Sequence, residues 1–224
     1  MTMFKVIRII SLISACLFSL AAQAGVVMGG TRIIFSEGKK EATLSVTNED
    51  KTTPYLIESW IENFDKNNHS RAPFIVTPPL FRLEPDKENL LRINYLGMPL
   101  PQDRESVFWL NVKSISPTAA EKSNELQVNI KSKFKLFYRP KGLAGNPADA
   151  WQQITFRQQG NQLMAHNPTP YFVSFYTLSV NHEAIDDPGM IGPGEDRHWT
   201  VRHAGAVSWS AINDYGGITE EQTR

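Results

Sequence analysis

Apolar and polar residues alternate by twos through the stretch Glu125-Leu-Gln-Val-Asn-Ile-Lys-Ser-Lys-Phe-Lys-Leu-Phe-Tyr-Arg139. Leu126, Val128, Ile130, Phe134, Leu136 and Tyr138 fall on one parity, and Gln127, Asn129, Lys131, Lys133 and Lys135 on the other. Side chains of a strand change face at every residue, so the pattern predicts one long β-strand with a wet face. Strands commonly run about five or six residues. This one has more edge than a small sandwich needs. Either it crosses two packing environments or part of it waits for a partner chain.

Upstream, residues 26–139 read as strands and turns without a helix. The segment 26–35 contains Gly29-Gly30 and then a strand with Arg32 inside it; 42–47 alternates and stops at Asn48. Further strands are predicted over 54–64, 74–76, 80–83, 90–95 and 106–112. The pair Pro78-Pro79 cannot donate to a ladder, which marks an edge or a switch between sheets. Short strands broken every ~8–15 residues by Pro, Gly, Asn and Asp describe an immunoglobulin-like sandwich, with the long strand last. The best linker signal follows, from Pro140-Lys-Gly142 to Gly145-Asn-Pro147. Beyond it, strands are predicted over 151–156, 162–166, 171–180, 197–202 and 206–213, a second and smaller β-domain. The expected division is therefore 25–142 and 143–224.

The first 24 residues read differently. Lys5 and Arg8 precede an apolar run from Ile9 to Leu20, and Ala22-Gln-Ala24 supplies a small-x-small site, so 1–24 is predicted to be a cleaved signal peptide. Ile13-Ser-Ala-Cys16 also resembles a lipoprotein box, but apolar sequence continues past the cysteine and a better cleavage site follows. Removing Lys5 and Arg8 from the 23 basic residues leaves 21 against 23 acidic ones, so no general attraction to nucleic acid or membrane is expected. Cys16 is the sole cysteine. The mature chain is thus expected to hold together by burial alone, as an exported protein without disulfides.

Catalytic chemistry finds little support. There is no Gly-x-Ser-x-Gly elbow, and the histidines at 69, 166, 182, 198 and 203 never take the i, i+4 spacing of a helical metal pair. The glycine pairs lack the strand–loop–helix setting of a phosphate loop. His182-Glu183 reads as a solvated loop pair. Neither enzyme activity, nor a metal, nor a cofactor is expected.

Several blocks are more specific. Gly30-Thr-Arg-Ile-Ile-Phe35, Phe74-Ile-Val-Thr-Pro-Pro-Leu-Phe81, Leu100-Pro-Gln-Asp-Arg-Glu-Ser106, Lys135-Leu-Phe-Tyr-Arg-Pro140, Asn167-Pro-Thr-Pro-Tyr171 and Ile212-Asn-Asp-Tyr-Gly-Gly217 occur in that order. Together they resemble the periplasmic pilus chaperones of the chaperone–usher pathway, over essentially the whole mature chain. The resemblance implies a boomerang of two immunoglobulin-like domains with a subunit-binding cleft between them. It also implies a client, a pilin (fimbrial) subunit lacking its last strand, which borrows a strand from the chaperone until it passes to an outer-membrane usher.

By matching position, Leu126, Val128 and Ile130 would fill the client's groove, and Arg32 and Lys135 would anchor its C-terminal carboxylate. Glu105, Arg139 and Asp214 would form a salt-bridge network between the domains. Lys135 has the opposite parity to Ile130, so a twist or a bulge is expected between them. Lys131 and Lys133 share its parity, and only the block 135–140 selects Lys135. A free edge of this kind invites pairing with its own copies, so self-association or cover by the 116–124 loop is expected without a client. That loop is short, which resembles the subclass serving rod-like pili. The last strand of the second domain is expected to be short. A different class of reading, an exported structural or adhesive two-sandwich fibre component, stays open at this point.

Overall fold

The computed structural model describes residues 25–117 and 128–224. The signal-peptide expectation, Leu126 and most of the 116–124 loop therefore lie outside the described residues.

Among the described residues the first half contains nine strands: β1 (Val26–Met28), β2 (Arg32–Ser36), β3 (Ala42–Asn48), β4 (Tyr55–Asn63), β5 (Phe74–Thr77), β6 (Leu80–Leu83), β7 (Glu88–Tyr95), β8 (Ser106–Ile115) and β9 (Ile130–Arg139). They form two sheets, ordered β1-β3-β7-β5 and β2-β9-β8-β4-β6. Alternate residues of both sheets meet in one core, with Phe35, Val46, Ile57, Leu91, Ile93, Leu110 and Leu136 almost fully buried. A cluster of rings, Phe35, Phe74, Tyr95, Phe108 and Tyr138, fills one end at centroid separations of 5.0–6.4 Å.

Two predicted features take a more definite form. The segment 26–35 is two strands, not one: β1 pairs with β3 in one sheet and β2 with β9 in the other. Gly29 lies where they part, so close to β3 that a Cβ there would stand 2.1 Å from Ser45 Oγ. Pro78-Pro79 lies between β5 and β6, each an edge strand and each in a different sheet, so it is both an edge and a switch.

The second half holds β10 (Thr155–Gln159), β11 (Gln162–His166), β12 (Val173–Val180), β13 (Glu183–Ala184), β14 (Met190–Ile191), β15 (Asp196–Thr200), β16 (Val207–Ala211) and β17 (Gln222–Thr223). One sheet runs β10-β11-β15 and the other β13-β12-β16-β17, with β14 beside β12. Trp209, Ile154, Leu163 and Ala165 centre a separate core. The final strand is indeed short, at two residues. The strand expected over 151–156 is corrected: Pro147–Gln153 is a 3-10 helix. Asn146 caps it by accepting from the Ala148 N–H, Pro147 supplies the first-turn geometry, and Ala150 is its buried residue. The ladder begins only at Thr155.

Each half plugs a chain corner with a buried asparagine. Asn48 donates to the carbonyls of Thr53, Leu83 and Glu84, and Asn167 to those of Tyr171 and Gly192. A buried amide is tolerated because its donors are used.

Candidate client-binding cleft

The apolar stripe of β9 outruns the sandwich that it helps to build. Phe134, Leu136 and Tyr138 point into the core and are buried. Ile130 and Val128 continue the same parity past the end of the core and are 63% and 65% exposed. Along this one parity the strand passes from buried Phe134 through half-buried Ser132 to exposed Ile130.

The edge changes along with the face. The strand β8 pairs with β9 from Ile130 to Tyr138 without a break in register. On the other side β2 runs parallel to β9 and begins with Arg32 opposite Lys135, continuing to Ser36 opposite Arg139. Residues 130–134 of β9 thus have a ladder partner on one side only among the described residues. The even register with β8 leaves no bulge between Ile130 and Lys135, so of the two expected devices only strand twist remains.

Lys131, Lys133 and Lys135 share the outer face, and their surroundings separate them. Lys131 Nζ lies 4.7 Å from the centre of the Trp60 ring, and Lys133 Nζ 5.0 Å from that of Trp109 and 3.5 Å from Glu62. Lys135 is the one beside Arg32, half-buried, with no salt bridge among the described residues. Burial pushes its pKa down, and the neighbouring Arg32 charge adds to that, against the pull of Asp187. The Arg32 guanidinium is likewise depressed by burial, with Asp214 and Glu105 opposing. Its Nη1 donates to the Ile212 carbonyl at 2.9 Å, its Cζ lies 5.7 Å from the centre of the Phe137 ring, and its Nε is buried without a hydrogen-bond partner among the described residues. Two cations stand at adjoining register positions, partly desolvated and short of counter-charge. Such a pair favours an anion.

Glu105, Arg139 and Asp214 meet between the two halves. Arg139 Nε donates to Glu105 at 2.6 Å, and its Nη1 and Nη2 form a fork on Asp214 at 2.6 and 2.8 Å. Glu105 also accepts from the Phe172 N–H at 2.8 Å, while its own N–H donates to Pro170 O. Burial raises the Glu105 pKa despite Arg139 and the Phe172 N–H. For Arg139, burial works against the charge, but bonds and charge from Asp214 and Glu105 outweigh it and hold the pKa above its ordinary value. The rings of Phe137 and Phe172 approach to 5.8 Å beside this network. The turn at Ile212 that holds Arg32 escaped the sequence reading; only its place in the block 212–217 hinted at it.

Comparison with known proteins gives one answer for both halves. Residues 25–144 match the N-terminal domain of the pili and flagellar-assembly chaperone PapD, and residues 149–223 match the C-terminal domain of the pili assembly chaperone PapD. The chain is 42% identical to the chaperone protein FimC of Escherichia coli K12 over 206 residues, covering 90% of this chain and 85% of that one. It is 40% identical to the probable fimbrial chaperone LpfB of Escherichia coli O157:H7, covering 89% and 88%. Among solved structures, the E. coli chaperone DraB superposes with a TM-score of 0.79 at 34% identity, covering 89% of this chain and 97% of that one. A chain of the Salmonella enterica complex of the SafA pilin with the SafB chaperone does so at 0.82 and 32%, covering 91% and 98%.

Proposed function

The chain belongs to the pilus-assembly chaperone family, and from that premise we propose that it lends the upstream part of β9 to pilin subunits while gripping their C-terminal carboxylate at Arg32 and Lys135. The observation that carries this reading is the overhang: an exposed apolar stripe on an open strand edge that ends at two under-compensated cations.

The direction of the client strand follows from the same geometry. Its end lies level with Lys135, so the strand runs parallel to β9, end to end with β2 and filling the edge that β2 leaves vacant. Main-chain hydrogen bonds along that edge fit any sequence, and Val128 and Ile130, with Leu126 beyond them, select the groove. Each such side chain contributes ~1.5–3 kcal/mol on full burial, before association costs. Each charge-assisted bond to the carboxylate adds ~1.5–3 kcal/mol and fixes the register, because a chain has one C-terminus. The opposite parity of Lys135 is no obstacle, since a chain end beside an edge is confined to neither face.

Residues 25–142 act as the lending domain and 143–224 as its partner, with Glu105, Arg139 and Asp214 holding the angle between them. Residues 1–24 direct the chain to the periplasm and are removed. The short 116–124 loop fits the subclass serving rod-like pili, and the loaded complex passes its subunit to an outer-membrane usher. Without a client, the open edge pairs with a second copy. The fibre-component reading is set aside, because the relatives matched along nearly the whole chain carry the name chaperone.

Substituting Arg32→Ala or Lys135→Ala, with a co-expressed pilin subunit, tests the anchor. The pilin is expected to disappear from periplasmic extracts while the variant itself stays folded and abundant. Undiminished pilin would refute the anchor.

A further inference from the structure

The anchoring arginine is held by the other half of the molecule. Arg32 starts β2 of the first sandwich, yet its Nη1 is bound to the carbonyl of Ile212, immediately after β16 of the second. That carbonyl opens a tightly locked turn. Asn213 Oδ1 accepts from the N–H groups of both Tyr215 and Gly217, at 3.0 and 2.9 Å. The Asn213 N–H donates to Gly217 O, the Gly216 N–H donates to Asn213 O, and the Ile212 N–H is tied back to Ser174 O. Gly216, at φ +83°, lies against the residue that precedes Arg32; a Cβ there would stand 2.3 Å from Thr31 Oγ1. The same turn carries Asp214 to the Arg139 fork. One side-chain oxygen thus organises a turn that reaches two arginines of the first sandwich, Arg32 and Arg139.

We propose that Asn213 is a positioning residue for the client's carboxylate: by locking the turn it presents the Ile212 carbonyl, and with it the orientation of the Arg32 guanidinium. With Nη1 engaged and the Phe137 ring alongside, the guanidinium is fixed before a client arrives, and Nη2 and Lys135, without a hydrogen bond or ion pair among the described residues, face an incoming anion. The anchor is complete only while the two halves are docked. A client tail therefore registers the arrangement of the domains as well as the sequence of β9. This inference rests on reading Arg32 as the anchor.

The test uses the full mature chain and a soluble peptide of about twelve residues, alternating valine and serine, made as the free acid and as the C-terminal amide. Kd is measured for both by titration. The wild type is expected to prefer the acid by about tenfold or more, the factor for one charged hydrogen bond. Arg32→Ala should bring that ratio to about one. Asn213→Ala should reduce it to about threefold or less while leaving amide affinity within about twofold. Gly216→Ala disturbs the same turn from the Thr31 side and should do the same. A ratio that survives both turn variants overturns the inference, as does a parallel loss of both peptides, which marks a merely structural turn. If Arg32→Ala abolishes the preference and the turn variants keep it, only the positioning role falls. If Arg32→Ala also keeps it, or the wild type has none, the anchor falls and the inference with it.

Discussion

Arg139→Met and Glu105→Gln attack the same ion pair from its two ends and should have unequal costs. The Glu105 side chain is 2% exposed and that of Arg139 17%, so water compensates neither. Removing Arg139 leaves a buried carboxylate facing one backbone N–H, and breaking such a pair typically costs ~3–5 kcal/mol. Protonation sets a ceiling on the carboxylate's share. With an unfolded pKa near ~4.3 and ~1.36 kcal/mol per unit, taking up a proton at pH 7 costs about 3.7 kcal/mol, and at pH 5 about 1 kcal/mol.

The sign follows from the direction of the shift. Burial raises the folded pKa of Glu105 above its unfolded value, so its penalty is absent below the unfolded pKa and grows as pH rises. Arg139→Met raises that pKa further. The variant should lose about 3 kcal/mol at pH 7 and about 1 kcal/mol at pH 5, including part of the more exposed Asp214 pair. Glu105→Gln keeps an acceptor for Phe172 and leaves Arg139 its fork on Asp214, so its cost should stay within about 1 kcal/mol. Hydrogen exchange at the buried amides of Leu110 and Leu136, corrected for its intrinsic pH dependence, reads the opening of the first sandwich directly. A pH-independent cost for Arg139→Met, or equal costs for the two variants, would refute the reasoning.

Ile130→Ser should change stability by no more than about 0.5 kcal/mol, because the side chain is largely exposed. The same variant should lose pilin binding, so a thermal melt paired with co-purification separates the two roles; a strong drop in melting temperature would place Ile130 in the core instead. The acid-over-amide peptide preference should decline with rising pH before the ordinary lysine range near ~10.4 is reached, because Lys135 sheds its proton early. Lys135→Arg should keep the preference across that range, and an identical decline in the variant would assign the titration to another group.

What the sequence disclosed depended on how local the cause was. Alternation placed β9 and its apolar parity, because face assignment needs only neighbours along the chain. Turn residues likewise marked most strand ends. Where β9 leaves the core could not be read, since Phe134 and Ile130 are both apolar and share one parity, and only the folded packing separates a buried residue from an exposed one. The split of 26–35 was hidden for a related reason. Gly29 is required by Ser45, a residue of another strand, and nothing inside the segment reports it. The strand expected from Trp151 gives way to the end of a 3-10 helix because Asn146-Pro147 is equally a linker and a helix cap. The meeting of Arg139 with Glu105 and Asp214 spans sequence separations of 34 and 75, which no local pattern encodes. Parity could not separate Lys135 from Lys131 and Lys133, and only the block 135–140 singled it out; that Lys135 lies opposite the first residue of β2 is again a fact about another strand.

On the proposed function, the start of β2 also accounts for one strand serving two bodies. Had β2 begun some five residues earlier, it would have paired the whole of β9, closed the edge and left no room for a guest. Gly29-Gly30 instead lets the chain spend its first strand on the opposite sheet and cross over late, so β2 enters level with Lys135. The edge of β9 is therefore divided along its length. Its downstream half is occupied by the protein's own β2, and its upstream half has no second ladder partner among the described residues, which leaves it to a strand running the same way. Arg32, as the first residue of β2, marks the boundary, and a cation there suits the end of whatever strand precedes it, because that end carries a negative charge. On this argument, Arg32→Glu should leave Ile33 and Phe35 packed and the ladder with β9 in register, while opposing the negative end of the guest strand, and the acid-over-amide preference should vanish with the sandwich intact.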